Sequence, residues 1–375
     1  MKNSLSEHQN NLARAQEELN RRYRLEGILG VGSMGQVYQA TDRLTNKTIA
    51  IKRIGEKLRL DAGDGNFSDI STALAHEFRM LTSLHHPNII QVYDYGFDAD
   101  QYPYYTMEYL TDSADILTAG GKAPIEVKVD LLAQALSAIT YLHNNTILHR
   151  DIKPDNLQVL QNNQLKVLDF GLSALRTSTE ERAGTLRYMA PEVLSTGQAS
   201  PASDLYALGV IAYELFLGQH PFPTAEPSEL VSMVLNSAPD FSGCAAVEIC
   251  QVLERWLCKD PEQRYQNASE LLTDLYQAID ADPPVEQLQV LGSQSQPPVF
   301  IGREEELSCM KTAFSRSTAG RGEGWFVCGE SGVGKSRLLD EFHLHALLNG
   351  AWVMRGQAIQ EGSTPFTLWR DPLRH

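Results

Sequence analysis

The 375-residue sequence contains no apolar run approaching the ~18 residues that a membrane-spanning helix requires. Even Ala207 to Gly218 is interrupted by Glu214. Residues 1 to 20 carry no continuous apolar stretch, so a secretory leader is not expected. Cysteine is scarce: Cys244, Cys250, Cys258, Cys309 and Cys328 form no C-x-x-C pair. An odd, scattered set argues for reduced, mostly buried thiols in a cytoplasmic protein. Positive charge is also short, with 32 Lys and Arg against 47 Asp and Glu, a net of −15. That balance disfavours nucleic acid or an anionic membrane surface as a general partner. No internal repeat of solenoid period is present. What remains is 42% apolar residues, enough for large cores, in a chain long enough for two domains.

Residues 1 to 22 are rich in Asn, Gln and Glu, with Leu5, Leu12 and Leu19 spaced seven apart, which predicts a short amphipathic helix. Short apolar runs then alternate with turns, and Gly27 to Leu29, Val37 to Ala40 and Thr48 to Ile51 read as an antiparallel strand series. An Asp/Gly-rich loop, Asp61 to Asp69, precedes a helix expected to include Leu74, Phe78, Leu81 and Leu84. Ile89 to Val92 and Tyr104 to Met107 read as further strands. Beyond Asp112, Leu131, Leu132, Ala135, Leu136, Ile139 and Leu142 follow helical spacing. Strands first and helices later predict a two-lobed α+β body, closed by a helix at Leu271 to Ile279. Asp280 to Pro298 holds four prolines with repeated Gln and Ser, a linker composition.

Several chemical motifs stand in order along this body. Gly30-Val31-Gly32-Ser33-Met34-Gly35-Gln36-Val37 is a G-x-G-x-x-G-x-V hairpin, whose glycines let backbone close over phosphate without a Cβ in the way. Alone it could be any flexible hairpin. Ile49-Ala50-Ile51-Lys52 follows on the next strand, and a carboxylate to pair with Lys52 is expected on the next helix. Glu77 is the better candidate and Asp69 the poorer. His149-Arg150-Asp151-Ile152-Lys153-Pro154-Asp155-Asn156 then precedes Asp169-Phe170-Gly171. This order and spacing resemble a Hanks-type (eukaryotic-like) serine/threonine protein kinase, with a bacterial flavour in Ser203 to Val210, and the resemblance covers residues 23 to 280.

The resemblance implies a β-rich N-lobe, a helical C-lobe, and ATP with Mg²⁺ as cofactors. It makes Asp151 the base that accepts the substrate hydroxyl proton, Lys153 the cation that steadies the γ-phosphate, and Asn156 and Asp169 the metal ligands. Lys52, paired with Glu77, would contact the α- and β-phosphates. Leu29, Gly30, Val31, Gly32, Ser33, Gly35, Val37 and Ala50 would surround the nucleotide, with Met107 as gatekeeper and Glu108 to Leu110 as the hinge. Ala190-Pro191-Glu192 resembles the close of an activation segment, with Arg264 as the buried partner of Glu192. Asp204 and Gly209 resemble the helix that anchors the catalytic loop. Lys153, with Thr185 bridging it to Asp151, implies serine and threonine acceptors. Thr177, Ser178 and Thr179 are the expected activating phosphosites, answering Arg150, although Glu180 or Glu181 could fill that role instead. One departure is Thr111 to Asp115, where the family has a glycine-containing turn; Asp112 and Asp115 are both open as the ribose contact.

A second unit opens at Phe300-Ile301-Gly302-Arg303. Gly329-Glu330-Ser331-Gly332-Val333-Gly334-Lys335-Ser336 matches G-x-x-x-x-G-K-[ST], between an expected strand at Trp325 to Cys328 and a helix at Arg337 to Leu348. Backbone N–H groups of such a loop cradle phosphate, with Gly329, Gly332 and Gly334 shaping it, Lys335 on the β/γ-phosphates and Ser336 on Mg²⁺. Phe300 to Leu307 resembles the entry box of AAA-type and STAND ATPases. No acidic strand follows within the 39 residues after Ser336, so residues 299 to 375 are expected to be a partial α/β P-loop domain. Four segments are thus expected: a helix at 1–22, a kinase domain at 23–280, a linker at 281–298 and the partial ATPase domain at 299–375. The implied function is phosphorylation of protein serine and threonine hydroxyls in signal transduction, with autophosphorylation through self-association. The alternatives are a pseudokinase scaffold, for which no catalytic letter is broken, and a nucleotide-switch ATPase with the kinase as its input.

Overall fold

The computed structural model describes residues 19, 22–32, 35–53, 74, 78, 81, 84–98, 102–169, 186–224, 226–244, 246–284, 302–318, 320–329, 334–349, 351 and 353. The expected N-terminal helix, the 61–69 loop, Glu77, Ser33, Phe170, Gly171, Thr177 to Glu181, Thr185, most of the linker and Gly332 lie outside the described residues, as does the side chain of Ser336. The chain divides into two compact units, one of residues 1–79, 92–109 and 298–375 and the other of residues 80–91 and 110–297.

The first unit is built on a five-stranded antiparallel sheet in the order β1-β2-β3-β5-β4. Its strands are β1 (Tyr23–Gly32), β2 (Gly35–Asp42), β3 (Lys47–Arg53), β4 (Val92–Phe97) and β5 (Pro103–Glu108). Alternation sets which side chains go inward. Leu19, Tyr23, Leu25, Tyr38, Ala40, Ile49, Ile51 and Tyr104 form one buried cluster. Leu74 and Phe78 are helical and buried, and the Phe78 ring packs 5.3 Å from Tyr95 and 6.1 Å from Tyr105.

The strand expected at Ile89 to Val92 starts instead at Val92. Ile89 and Ile90 belong to the second unit and bond there to Val167, so they have no place in the five-stranded ladder. Leu84, expected in the helix, follows it as irregular chain, its amide on the Leu81 carbonyl.

The second unit is helical around α2 (Ile125–Asn144) and α4 (Pro201–Leu217). Leu131, Leu132, Ala135, Leu136, Ile139 and Leu142 of α2 are all buried, as their spacing predicts. A small sheet of β6 (Ala114–Asp115), β7 (Leu157–Val159) and β8 (Leu165–Val167) flanks the segment that leads from Asn156 to Asp169. The remaining helices are α1 (Ile116–Gly120), α3 (Pro191–Thr196), α5 (Pro227–Asn236), α6 (Val247–Trp256) and α7 (Ala268–Gln277). Asp115 caps α1 with both carboxylate oxygens, accepting from the Leu117 and Thr118 amides and the Thr118 hydroxyl. It is thereby committed to structure. Cys244 and Cys250 stand side by side with Cα atoms 6.4 Å apart, within the span that a disulfide bridges. Cys309 and Cys328 are exposed. Their exposure corrects the expectation of mostly buried thiols. A tight turn at Phe241 to Cys244 sets Cys244 beside Cys250 of α6, with no sequence motif to announce the pairing.

In residues 302–353, α8 (Glu304–Thr318) and α9 (Lys335–Leu348) pair through Phe314, which meets Phe342 and His345 edge-on. Trp325 to Cys328 is irregular chain and not the expected strand. A strand needs a ladder partner, and none is present among the described residues of this segment. Phe326 is accordingly 94% exposed. No helix among the described residues is long and apolar enough to cross a membrane.

Candidate active site

The loop that holds Asp151 is fixed from below by one carboxylate. Asp204, buried on α4, accepts the His149 amide at 2.8 Å and His143 Nε2 at 2.9 Å on Oδ2, and the Arg150 amide at 2.9 Å on Oδ1. Gly209, one turn further along α4, has a different task. A Cβ there would lie 2.9 Å from the Trp256 indole, which donates its N–H to the Leu205 carbonyl at 2.7 Å. Glycine thus lets the indole seat against α4.

His149 is wholly buried. Its Nδ1 accepts the Asp151 amide at 3.3 Å, so Nε2 carries the proton and donates to the Leu168 carbonyl at 3.1 Å. Burial, the largest influence, lowers its pKa below the ordinary value and favours the neutral ring. One imidazole therefore ties the loop of Asp151 to the chain that leads into Asp169. Arg150 (φ 64°) and Asp169 (φ 48°) both adopt the left-handed conformation, at a cost of ~1–2 kcal/mol for L-residues. Such strain persists where surrounding bonds over-determine it, and functional sites collect it.

Asp151, Lys153 and Asn156 come together. Asn156 Nδ2 donates to Asp151 Oδ2 at 2.9 Å and to the Asp151 carbonyl at 2.7 Å. Lys153 Nζ lies 3.6 Å from the same Oδ2. The Leu168 amide donates to the Asn156 carbonyl at 2.9 Å, which sets Asp169 one residue beyond Asn156's own anchor. Since both Nδ2 protons are spent on Asp151, Asn156 Oδ1 is left as an oxygen donor with no hydrogen bond among the described residues. A hard, oxygen-only pair of Asn156 and Asp169 suits Mg²⁺, which takes one or two protein oxygens and completes its shell with phosphate and water.

Arg264 and Glu192 form the expected pair. Two parallel 2.8 Å bonds join them, and the other Arg264 donors reach the Cys258, Ala202 and Lys259 carbonyls. A charge buried this deeply is tolerable only when fully satisfied, and this one is.

In the first unit, Gly32 pairs with Gly35 at the tip of the β1–β2 hairpin, and Gly35 has φ 148°, a conformation L side chains rarely adopt. Leu29 and Val31 are exposed on this hairpin, whereas Ala50 and Met107, paired across β3 and β5, are buried. Lys52 is buried on β3, opposite Val37, and its ammonium lies 5.8 Å from the Tyr105 ring on which Phe78 also packs. Glu108 ends β5 and Leu110 follows it. In the C-terminal segment, Gly334 (φ 87°) precedes Lys335, the first residue of α9, whose Nζ donates to the Gly329 carbonyl at 2.8 Å. Both residues line a cavity of about 790 Å³, which Gly302, Arg303 and Glu304 of the upstream box also line. The two separate sequence motifs of this segment thus border one space.

A feature with no sequence signal is the cluster of Arg187, Tyr188 and Glu214. The Tyr188 hydroxyl donates to Glu214 Oε2 at 2.9 Å, and Arg187 lies 3.9 Å from Oε1. Burial raises the Glu214 pKa.

The family model described as a protein kinase domain matches residues 23–277, and one described as an AAA ATPase domain matches residues 299–375. Similar curated proteins include the serine/threonine-protein kinase PrkC of Bacillus subtilis, 33% identical over 275 residues, covering 70% of this chain and 41% of that protein. The serine/threonine-protein kinase PknB of Mycobacterium tuberculosis is 31% identical over 283 residues, covering 71% of this chain and 44% of that protein. A probable serine/threonine-protein kinase of Streptomyces coelicolor, SCO3848, is 33% identical over 278 residues, covering 70% and 40%. The chain therefore spans about two fifths of the length of the curated relatives it matches.

Proposed function

The chain belongs to the protein kinase family, and from that premise we propose that it transfers the γ-phosphoryl group of ATP to serine and threonine hydroxyls of proteins in signal transduction. The observation that carries this reading is the Asp151–Asn156–Lys153 constellation, intact in every letter and held in a strained loop by Asp204 and His149. Asp151 would orient the acceptor hydroxyl and take its proton, its carboxylate being fixed by Asn156. Lys153, 3.6 Å from that carboxylate, would meet the transferring phosphoryl group. Lys52, with Glu77, would bind the α- and β-phosphates, and the hairpin of Gly30, Gly32 and Gly35 would close over them. Asn156 Oδ1 and the Asp169 carboxylate would hold Mg²⁺, which when bound neutralises phosphate charge. The protein's share is positioning and charge, as expected for a loose phosphoryl-transfer transition state.

The kinase unit of this reading spans residues 23–280, joined through 281–298 to a nucleotide-binding segment at 299–375. The cavity beside Gly334 and Lys335 supports a second nucleotide site there. The cytoplasm, where ATP is held, is the proposed compartment, and a second copy of the chain is a proposed substrate through autophosphorylation. The test is incubation of the chain with γ-labelled ATP, followed by phosphoamino-acid analysis. Label on serine or threonine supports the reading, whereas label on tyrosine alone, or none, overturns it.

A further inference from the structure

Cys244 and Cys250 are each held in place by bonds of the surrounding backbone. Cys244 closes a turn, its amide on the Phe241 carbonyl at 3.0 Å. That turn is anchored to the core, because the Phe241 ring meets Tyr213 edge-on at 5.5 Å and the Asp240 carbonyl accepts the Tyr213 hydroxyl. Cys250 sits in the first turn of α6, whose Ile249, Val252, Leu253 and Trp256 are buried. One carbonyl serves both cysteines: Ala246 accepts the Cys250 amide at 3.1 Å and the Cys244 thiol at 3.4 Å. The two sulfurs thus face one another on a fixed frame, with Cα atoms 6.4 Å apart.

Both cysteines are half-buried, and Cys244 lines a cavity of about 280 Å³ together with Lys128, Phe216 and Ile249. That space is many times the ~30 Å³ share of one water, so a small oxidant has room beside the thiol. A lone thiol attacked by peroxide climbs towards sulfinic and sulfonic acid, whereas one that faces a second thiol stops at the disulfide. Cys258, also half-buried, has its thiol on the Glu254 carbonyl at 3.4 Å, and Cys309 and Cys328 lie in the C-terminal segment. In the proposed compartment thiols are kept reduced, and the disulfides that do form there are as a rule transient or redox-sensing.

We infer that Cys244 and Cys250 are a redox-modification site, a dithiol that hydrogen peroxide closes to a disulfide and a thiol reductant reopens. One thiolate attacks the peroxide O–O bond and becomes a sulfenic acid as hydroxide leaves. The second thiolate attacks that sulfur, the S–S bond forms, and a second hydroxide leaves. With the two thiol protons, the products are one disulfide and two waters; the sulfurs lose two electrons and the peroxide gains them. The bridge closes a ring from Cys244 to Cys250 and clamps the Phe241 turn to the first turn of α6. The stability of the helical unit thereby follows the oxidation state of this pair.

The experiment uses the full chain, reduced, freed of reductant, treated with hydrogen peroxide and then with an alkylating maleimide. Digestion with trypsin and cleavage after Glu248 part the two cysteines, so a bridge is read by mass spectrometry as two joined peptides. The expected result is a Cys244–Cys250 link that dithiothreitol removes, with the maleimide label on Cys258, Cys309 and Cys328. The thermal midpoint of the oxidised chain should lie roughly 4–8 °C above that of the reduced chain, the scale for a short closed loop in a domain of this size. Cys244→Ser combined with Cys250→Ser should abolish that rise. Maleimide or sulfinic acid on both cysteines in place of the link overturns the inference, as do bridges to Cys258, Cys309, Cys328 or another chain. So does a linked chain with an unchanged midpoint, or a rise that persists in the double variant. All of these leave the kinase reading intact, because neither thiol takes part in phosphate transfer.

Discussion

Replacing Asp204 should separate the fold's support from its chemistry. The carboxylate is buried and accepts three hydrogen bonds at 2.8–2.9 Å, two of them from the His149 and Arg150 amides. In Asp204→Ala both amides lose their acceptor. Each unsatisfied buried donor costs about 1–3 kcal/mol, more where the lost partner was charged. Two amides and the His143 contact together should cost roughly 3–6 kcal/mol, a large part of the ~5–15 kcal/mol that holds a typical domain together. Asp204→Asn keeps one oxygen but turns an N–H₂ towards a donor, so roughly half that loss is expected. Because the two amides set the register of Asp151, a misplacement of ~1 Å should lower phosphate transfer by about 10²-fold even in the folded Asn variant. Urea unfolding followed by circular dichroism gives the stability, and initial rates with saturating Mg·ATP give the transfer. An Asn variant within about 0.5 kcal/mol of the wild type and within twofold in rate would refute this account of Asp204.

Gly209→Ala should cost about 1–3 kcal/mol, because its Cβ meets the Trp256 ring at 2.9 Å inside a filled core, and a lowered urea midpoint would show it. Arg264→Met should cost about 3–5 kcal/mol by leaving Glu192 without its partner, and Glu192→Gln added to it should recover part of that loss in the same unfolding assay. His86 provides a pH test, since burial, with Lys166 nearby, lowers its pKa from 6.5 to about 4. Above pH 6.5 it is neutral in both folded and unfolded states; between 6.5 and about 4 only the unfolded chain gains the proton, so stability should fall as pH falls through that window. Unfolding midpoints at pH 7 and pH 5 measure the slope, and His86→Gln should flatten it.

The parts of the molecule legible in the sequence are those where local chemistry and long-range packing agree. The spacing along α2 announces a buried face because the whole helix sits against neighbours. The Asp151–Asn156 pair is legible because five residues of loop suffice to bring the two side chains together. Glu192 and Arg264, 72 residues apart, could be paired only through the family resemblance. Arg187, Tyr188 and Glu214 are joined across 26 residues by no motif at all, and only packing reveals them. Ile89 and Trp325 to Cys328 fail for the opposite reason. Their apolar composition suits a strand, but a strand also needs a ladder. Ile89 bridges singly to Val167, and the described part of the C-terminal segment offers Trp325 to Cys328 no partner strand.

The central claim is that Asp151 acts on the acceptor hydroxyl and not on the nucleotide. Asp151→Asn keeps the size of the side chain and removes its charge. Two quantities should be measured on this variant, the affinity for Mg·ATP by calorimetry and the rate of phosphate transfer from γ-labelled ATP. The account predicts an affinity within about threefold of the wild type and a transfer rate lowered by roughly 10²–10⁴-fold, the usual contribution of a positioned general base. Transfer at the wild-type rate by Asp151→Asn, or loss of nucleotide binding in step with transfer, would contradict it.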